Sequence, residues 1–260
     1  MFGPYDGRRV AVHPYRRMMP FLMRGRNESA VYFEQRLDVT RAQAWLAERG
    51  AGLFALVLHA LASVLHERER LNRFTVGRKT YQRDGVQLSF AAKKRYTDDA
   101  PLATVKRRFA AGESFDDLVP GLVDSIATAK SDAESAVDRE LSILLKLPGF
   151  LLAFLLWAFE RLYARGLAPR SLVESDPMYA SAFVANLGSV GIDAAYHHLY
   201  EHGNCPLFVT IGRVVDGKLT LRYTFDERVE DGLYCARALQ LLADRVEDPA
   251  SWIPERRASA

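Results

Sequence analysis

Residues 224–232 read TFDERVEDG. The residues before this stretch alternate between apolar and polar from Leu219 to Tyr223, which predicts a strand. The residues after it, Gly232–Glu247, carry apolar side chains at helical spacing and stop before Pro249, which predicts a helix. The stretch is therefore predicted to connect a strand to a helix.

Two apolar runs upstream of this turn predict further strands. Residues 182–187 lead into the stretch ANLGSVG, which covers residues 185–191, and residues 207–214 contain the pair Gly212-Arg213. Asp216-Gly217 then predicts a two-residue hairpin turn, because Asp-Gly supplies the positive φ angles that such a turn needs. The last third of the chain is therefore predicted to be rich in strands.

The first two thirds contain two more strand patterns and several helix patterns. Apolar side chains alternate over residues 31–39 and again over residues 86–90. Thr40, with Gln43 three residues later, predicts a capping box at the start of a helix. Helices are predicted over residues 40–50, 53–65, 102–111, 114–126, 133–145 and 149–163.

Composition limits the class of protein. Of the 260 residues, 49% are hydrophobic, which is enough to bury a sizeable core. The pattern is that of one α+β domain over residues 30–250, between a basic arm at residues 1–29 and a polar tail at residues 251–260. Two cysteines, Cys205 and Cys235, exclude a disulfide scaffold and give no zinc-ligand spacing, so no metal is expected. A formal net charge of +3 is too small to indicate a nucleic-acid partner.

The longest uncharged apolar run, Phe150–Phe159, has about half the length that a membrane span needs. Because the run is apolar on all sides, we expect it to be buried in the core or at a subunit interface. A pocket for an acyl chain or a contact with a membrane surface is the alternative. The start of the chain lacks the apolar segment of a secretory signal, so a cytoplasmic location with reduced thiols is expected.

The order of three stretches carries a resemblance: residues 185–191, the strand with Gly212-Arg213, and residues 226–232. It resembles the catalytic domain of the dihydrolipoyl acyltransferases of 2-oxoacid dehydrogenase complexes, which carry Ser-Asn-Leu-Gly, a Gly-Arg strand and Asp-His-Arg-x-x-Asp-Gly. That family shares its fold with chloramphenicol acetyltransferase. The likeness covers about residues 10–250. It implies a chloramphenicol acetyltransferase-like two-layer α+β sandwich, with a mixed sheet and helices, that forms trimers.

In the resembling family, the histidine of the last motif is a general base that takes the thiol proton of coenzyme A or lipoamide, and the serine before Asn-Leu-Gly donates to the oxyanion. This chain has Glu227 and Ala185 at those two positions, while it keeps Asn186, Arg228 and Asp231. The family uses the aspartate to brace the turn through an arginine. A chain that keeps the bracing aspartate but lacks both the general base and the oxyanion donor has the pattern of a pseudoenzyme.

Replacements for the missing base stay open. Glu227 would need a pKa raised by burial, because glutamate carboxyl groups ordinarily have a pKa near ~4.3, far below that of a thiol. His197 and His198 follow the Asn-Leu-Gly stretch and are the other candidates, unless they are solvated loop side chains. The basic clusters Lys93-Lys94-Arg95 and Lys106-Arg107-Arg108 are either a site for the phosphates of coenzyme A or a solvated face.

We therefore expect a catalytically degraded acyltransferase-like protein that acts as a binding or scaffold protein, with coenzyme A or an acyl-CoA as its ligand. The alternative is an active CoA-dependent acyltransferase that uses Glu227 or a loop histidine as its base. The resemblance implies a homotrimer, and a larger assembly is disfavoured because only Trp252-Ile253 is apolar near the end of the chain. A third alternative is a variant that contacts membrane surfaces or lipid through Phe150–Phe159.

Overall fold

The computed structural model describes residues 3–93, 102–130 and 145–255. Within these ranges the strands are β1 (Gly7–Arg9), β2 (Ala30–Asp38), β3 (Arg73–Val76), β4 (Lys79–Arg83), β5 (Val86–Lys93), β6 (Leu102–Phe109), β7 (Ala182–Asn186), β8 (Leu207–Val215) and β9 (Lys218–Asp226). The helices are α1 (Pro14–Leu22), α2 (Thr40–Ala47), α3 (Leu53–Glu67), α4 (Phe115–Lys130), α5 (Gly149–Ala164), α6 (Arg170–Ser175) and α7 (Gly232–Glu247).

The main sheet has six strands in the order β2-β9-β8-β7-β5-β6. Strand β7 runs parallel to β8 and β5, and the other neighbours are antiparallel, so the sheet is mixed. Alternate residues of β8 and β9, among them Val209, Ile211, Leu221 and Tyr223, are buried in one core with helices α2, α3, α4 and α7. One apolar face of the sheet therefore lies under a helical layer, which confirms the predicted two-layer α+β sandwich.

Residues 192–206 cross the other face of the main sheet along an irregular path. Side chains of β8 and β9 that alternate with the buried residues donate hydrogen bonds to backbone oxygens of this segment. The pairs are Thr210 Oγ1 with Ala195 O at 2.6 Å, Arg222 Nη1 with Ala194 O at 2.5 Å, and Thr224 Oγ1 with His197 O at 2.5 Å. The polar positions of the strands thus fix the segment in place, because backbone oxygens removed from water need donors.

A small second sheet joins the beginning of the chain to its middle. Strand β1 pairs with β4, with Gly7 opposite Arg83, and β4 pairs with β3. Arg26 is buried, and its guanidinium donates to the backbone oxygens of residues 200, 201 and 203. Much of the stretch that we predicted as a basic arm therefore packs against the rest of the protein.

Several predicted elements are confirmed nearly residue for residue. Asp216 and Gly217 have φ angles of 48° and 73° and form the two-residue turn between β8 and β9. Helix α7 has the predicted bounds, and α3 contains the predicted apolar stripe. Ser114 caps α4, since its Oγ accepts from the backbone N of Asp117 at 3.1 Å.

The predicted helix over residues 102–111 is wrong, because residues 102–109 form strand β6. Ala103, Val105 and Phe109 are buried at strand spacing, and β6 pairs with β5 along its whole length. An apolar pair four residues apart fits one face of a helix as well as one face of a strand. Pairing with β5 decides between the two.

The predicted capping box at the start of α2 is also wrong. Thr40 is the first residue of the helix, its side chain makes no capping bond, and Asp38 Oδ1 accepts from its backbone N at 3.1 Å. Asp38 takes the capping role expected of Thr40, because an aspartate carboxylate reaches the backbone N–H of the residue two positions further along the chain. A helix is also predicted over residues 133–145, and residues 133–144 of it lie outside the described residues.

Helix α5 corrects the first half of the expectation that the Phe150–Phe159 run is buried in the core or at a subunit interface. Tyr163 is the one buried residue of this helix, while Phe150, Phe154 and Trp157 expose 79%, 56% and 53% of their surface. The run therefore lies outside the core of this chain. None of the helices within the described ranges is long and apolar enough to cross a membrane.

Candidate functional site

The turn between β9 and α7 is built on a buried ion pair. Asp226, at the end of β9, accepts from Arg228 Nε at 2.9 Å and from Arg228 Nη2 at 2.7 Å, and both residues are buried. Ser29 Oγ donates to the same carboxylate at 2.8 Å. A two-point contact between arginine and carboxylate fixes orientation as well as charge, so these three residues set the course of the turn.

Glu227 lies between the two partners of this ion pair. Its backbone N donates to Ser29 O at 2.9 Å, and its backbone O accepts from Arg16 Nη1 at 2.7 Å. Its side chain is half-buried, and among the residues that the structure describes none donates to its carboxylate. The backbone is therefore held from two sides, while the carboxylate remains available to a ligand.

Asp231 begins α7 and is held by the same arginine. Its Oδ1 accepts from Tyr234 N at 2.8 Å, as an N-cap side chain does, and its Oδ2 lies 4.0 Å from Arg16 Nη2. The pKa of Asp231 is lowered, mainly by the hydrogen bond from Tyr234 N. Arg16 thus donates to the carbonyl of Glu227 and lies within ion-pair distance of the carboxylate of Asp231.

Ala185 lies near the end of β7, opposite Thr210 of β8. It packs beside an aromatic cluster that includes Phe208, and its methyl group offers no donor to an oxyanion. Asn186 Oδ1 accepts from Ser189 N at 3.2 Å, and Ser189 Oγ donates to Asn186 O at 2.7 Å. The side chains of Asn186 and Ser189 are therefore engaged in shaping the backbone turn that follows Ala185.

The Asn-Leu-Gly stretch touches the Gly-Arg strand directly. A Cβ atom added at Gly188 would lie 2.4 Å from Gly212 O, and one added at Gly212 would lie 2.6 Å from Ala194 N. Neither distance leaves room for a side chain. Gly188 therefore packs directly on the backbone of Gly212, while Gly212 packs on the backbone of Ala194 in the segment that crosses the sheet.

Ala185 and Glu227 lie far apart in the structure of the single chain. Ala185 stands opposite Thr210 in the sheet, and Thr210 stands opposite Arg222. Glu227 lies five residues beyond Arg222 along the chain, a distance of ~17 Å in the strand direction, and β7 and β9 are ~10 Å apart across the sheet. The fold of the single chain does not bring the two residues into one site.

Of the loop histidines, His197 has the geometry of a base. Its ring lies flat on Phe208, with ring centroids 3.8 Å apart, and its Nδ1 donates to His198 O at 2.7 Å. Because a carbonyl oxygen only accepts, the proton of the neutral ring is on Nδ1 and the lone pair is on Nε2. Burial lowers the pKa of His197, which favours this neutral form.

The neighbouring histidines are less suited to take a proton. His198 is exposed, and its Nδ1 donates to Leu199 O at 3.1 Å. His202 Nε2 lies 2.7 Å from Asp176 Oδ2, and its Nδ1 lies 3.8 Å from Glu160 Oε1. These two carboxylates raise the pKa of His202 to about 9, so its ring is protonated at neutral pH. Within the described ranges, no three His, Cys, Asp or Glu side chains converge in a way that would hold a metal ion.

The two basic clusters named in the sequence differ in what the structure says of them. Lys93 closes β5, but its side chain and the residues Lys94 and Arg95 lie outside the description. Lys106 Nζ donates to two backbone oxygens at 2.7 and 3.1 Å, and burial lowers the pKa of this amine to about 8. Arg107 forms an ion pair of 2.5 Å with a glutamate. The side chains of Lys106 and Arg107 are therefore engaged in contacts within the fold, which argues against a phosphate-binding role for them.

A cation-lined cavity beside the β9–α7 turn has no counterpart in the sequence motifs. Its volume is about 390 Å³, and its lining includes Arg24, Arg26, Arg161 and Arg228 together with two acidic residues, Glu160 and Glu201. These arginines come from distant parts of the chain, so no local pattern marks the cavity. The one signal in the sequence is the excess of arginine in residues 1–29.

Comparison with known proteins found similarity in structure only. No protein-family model and no curated protein matches the sequence. Among the solved structures that match is the dihydrolipoamide acetyltransferase of Azotobacter vinelandii, with a TM-score of 0.55 and 17% identity, covering 93% of this chain and 93% of that chain. A second is a truncated catalytic core of the 2-oxoacid dehydrogenase multienzyme complex from Thermoplasma acidophilum, with a TM-score of 0.59 and 16% identity, covering 92% and 98%.

A chloramphenicol acetyltransferase also matches, with a TM-score of 0.58 and 12% identity, covering 93% of this chain and 98% of that chain. Identities this low demonstrate a common fold and leave the chemistry to be argued from the site itself. The protein therefore has the chloramphenicol acetyltransferase-like fold, similar to that of these acyltransferase catalytic domains.

Proposed function

We propose that this protein keeps the frame of an acyltransferase site without its thiol-dependent chemistry, and that it acts as a binding or scaffold protein for coenzyme A or an acyl-CoA. The brace formed by Arg16 carries the proposal. It holds the backbone of Glu227 and the carboxylate of Asp231 together. The positions that supply the base and the oxyanion donor in the resembling family nevertheless carry a carboxylate and a methyl group.

Two chemical losses support this proposal. The methyl group of Ala185 cannot donate to an oxyanion, and the loss of one such donor costs ~3–4 kcal/mol, or about 10²–10³-fold in rate. A carboxylate is also a much weaker acceptor for a thiol proton than a neutral imidazole. Acyl transfer needs both groups in the same event, so the two losses act against the same step.

The assembly that we propose is a homotrimer. The separation of ~17 Å between Ala185 and Glu227 along the strands supports it, because only a neighbouring copy can join the two halves of such a site. A larger assembly has less support. Trp252 stacks on His59 at 4.9 Å between ring centroids and donates to Arg245 O at 2.9 Å, so this apolar residue is turned into its own chain.

A second candidate function is active acyl transfer with His197 as the base. The observation in its favour is the neutral ring with its lone pair on Nε2. In this reading Nε2 takes the proton from a thiol, and the sulfur attacks the carbonyl carbon of a thioester. The original C–S bond of that thioester then breaks, and the leaving thiolate takes the proton back from Nε2. Glu227 is the remaining alternative for the same role.

Thiol release from acetyl-CoA and longer acyl-CoAs by the purified protein tests both candidates. The first predicts coenzyme A binding by calorimetry with no turnover above that of Glu227→Gln. Turnover that disappears in His197→Gln but persists in His198→Gln would establish the second candidate instead. Turnover that disappears in Glu227→Gln would make Glu227 the base. Neither turnover nor coenzyme A binding would contradict both.

Restoring the missing groups gives a sharper test of the site. The double variant Ala185→Ser and Glu227→His should gain turnover that neither single variant has, if the two residues meet between subunits. Arg16→Gln in that background should remove the gain, because it releases the turn. Light scattering should give three times the 29.2 kDa chain mass, and a monomer would contradict the proposed assembly.

A further inference from the structure

Helices α1 and α5 leave large apolar side chains uncovered. Phe150, Phe154 and Trp157 of α5 are more than half exposed, and so are Phe21 and Leu22 of α1. In α5 no residue before Glu160 carries a charge. A helix that is apolar on all sides and lies outside the core normally meets another apolar environment.

Basic side chains lie between the two helices. The cavity of about 390 Å³ is lined by Pro20 of α1 and by Trp157 and Arg161 of α5. It shares Arg78 with a second cavity, of about 610 Å³, and every charged residue in the lining of that second cavity is basic. The basic residues of the second cavity are Arg9, Arg17, Arg78 and Lys79. Within the described residues none of these four forms an ion pair, so the second cavity carries uncompensated positive charge, whereas the lining of the first cavity also contains Glu160 and Glu201.

Cations and exposed aromatic rings stand side by side on this surface. Arg78 Cζ lies 5.0 Å from the ring centroid of Phe21, and Arg161 Cζ lies 5.3 Å from the ring centroid of Trp157. An arginine beside an aromatic ring suits the headgroup level of a bilayer. There the ring enters the acyl boundary while the guanidinium meets a phosphate.

We propose that α1 and α5 form a docking face for a membrane surface that contains anionic lipid. Charge complementarity selects this occupant. A dissolved polyanion would neutralise the cations but would leave Phe150 and Phe154 in water. A second copy that met this face with its own copy of the same face would bring like charges together, which is unfavourable. A neighbour in the proposed trimer would meet it with a different face, and the fluorescence of Trp157 without vesicles separates that case. A bilayer covers the apolar side chains and neutralises the cations in a single contact.

Co-sedimentation of the full chain with vesicles tests this proposal without reference to acyl transfer. Binding to vesicles of phosphatidylcholine with phosphatidylglycerol should be at least about tenfold stronger than binding to phosphatidylcholine alone, and high salt should weaken it. Binding should also shift the fluorescence of Trp157 to shorter wavelength. The Trp157→Phe variant should lose that shift, because Trp45 and Trp252 already pack against the core.

Variants separate the apolar and the electrostatic parts of the contact. Phe154→Asp should weaken binding at least about tenfold, because it places a charge where the acyl boundary is expected. The pair Arg17→Gln and Lys79→Gln should remove the preference for anionic vesicles. Val123→Asp changes an equally exposed apolar residue of α4 and should bind like the unaltered protein.

Three results would overturn the proposal. The first is the absence of co-sedimentation with either vesicle. The second is equal binding by Phe154→Asp while circular dichroism shows it folded. The third is self-association that shifts the fluorescence of Trp157 without vesicles, which would assign the face to a second copy of the chain.

Discussion

Helices α3 and α5 are similar in length and apolar character, yet they occupy opposite environments. Ten residues of Leu53–Glu67 are buried, but one of Gly149–Ala164 is. Helix α3 belongs to the core shared by the main sheet and three other helices, whereas α5 is held near its C-terminal end, where Phe159 and Tyr163 pack beside Tyr179. Apolar composition therefore does not distinguish a core helix from a surface helix. The elements that surround the helix do.

The largest expected difference between the two helices is in the cost of removing a leucine. Leu61 of α3 is 2% exposed, so Leu61→Ala should lower the free energy of unfolding by ~2–5 kcal/mol. Leu156 of α5 is 46% exposed, and Leu156→Ala should change it by less than ~0.5 kcal/mol. Urea unfolding of both variants measures the contrast, and equal losses would show that α5 is part of the core.

Acid should act on α3 through its buried histidine, His59. Burial lowers the pKa of His59 from 6.5 to about 4, so between these values the unfolded chain binds a proton that the folded chain does not. Stability should therefore fall as the pH falls from 6.5 towards 4, by about 3 kcal/mol when complete. His59→Phe should flatten this part of the profile of unfolding free energy against pH. Parallel profiles for the two proteins would contradict the assignment.

The attachment of α5 should depend on the hydroxyl of Tyr163. This group donates to Asp6 Oδ1 at 2.7 Å and accepts from Asn204. Tyr163→Phe leaves both partners short of a hydrogen bond and should cost ~1–3 kcal/mol. Hydrogen exchange should become faster in α5 before it does in α3, and Tyr15→Phe, at an exposed tyrosine of α1, serves as the control.

The smallest expected effect is a loss of stability at alkaline pH, and it concerns His202 in the loop that contacts α5. Asp176, and after it Glu160 of α5, raise the pKa of His202 from 6.5 to about 9. The stabilisation is complete below pH 6.5 and should be lost as the pH rises through about 9. Because the ring is partly exposed, the loss should be about 1 kcal/mol. His202→Gln should show no such decline, and a decline of equal size in that variant would assign it to other groups.

Sequence patterns were sufficient where one residue decides the local backbone. Asp216-Gly217 fixes its hairpin turn and Ser114 its helix start, whatever lies around them. Val105 was misread because its strand depends on β5, a partner in space. The sequence motif around Glu227 and Asp231 indicated a candidate site. The contact of Arg16 with the Glu227 carbonyl joins residues 211 positions apart, and no sequence pattern predicts it.

Arg16 also has a consequence for any attempt to shorten or nick the chain. A cut by a protease between residues 16 and 29 would leave all six strands of the main sheet continuous, since the first of them begins at Ala30. It would nevertheless place Arg16 on a separate fragment from the carbonyl of Glu227 and the carboxylate of Asp231, which it contacts. Residues near the start of the chain thus stabilise the β9–α7 turn near its end, and a cleavage in the first region is expected to weaken the second.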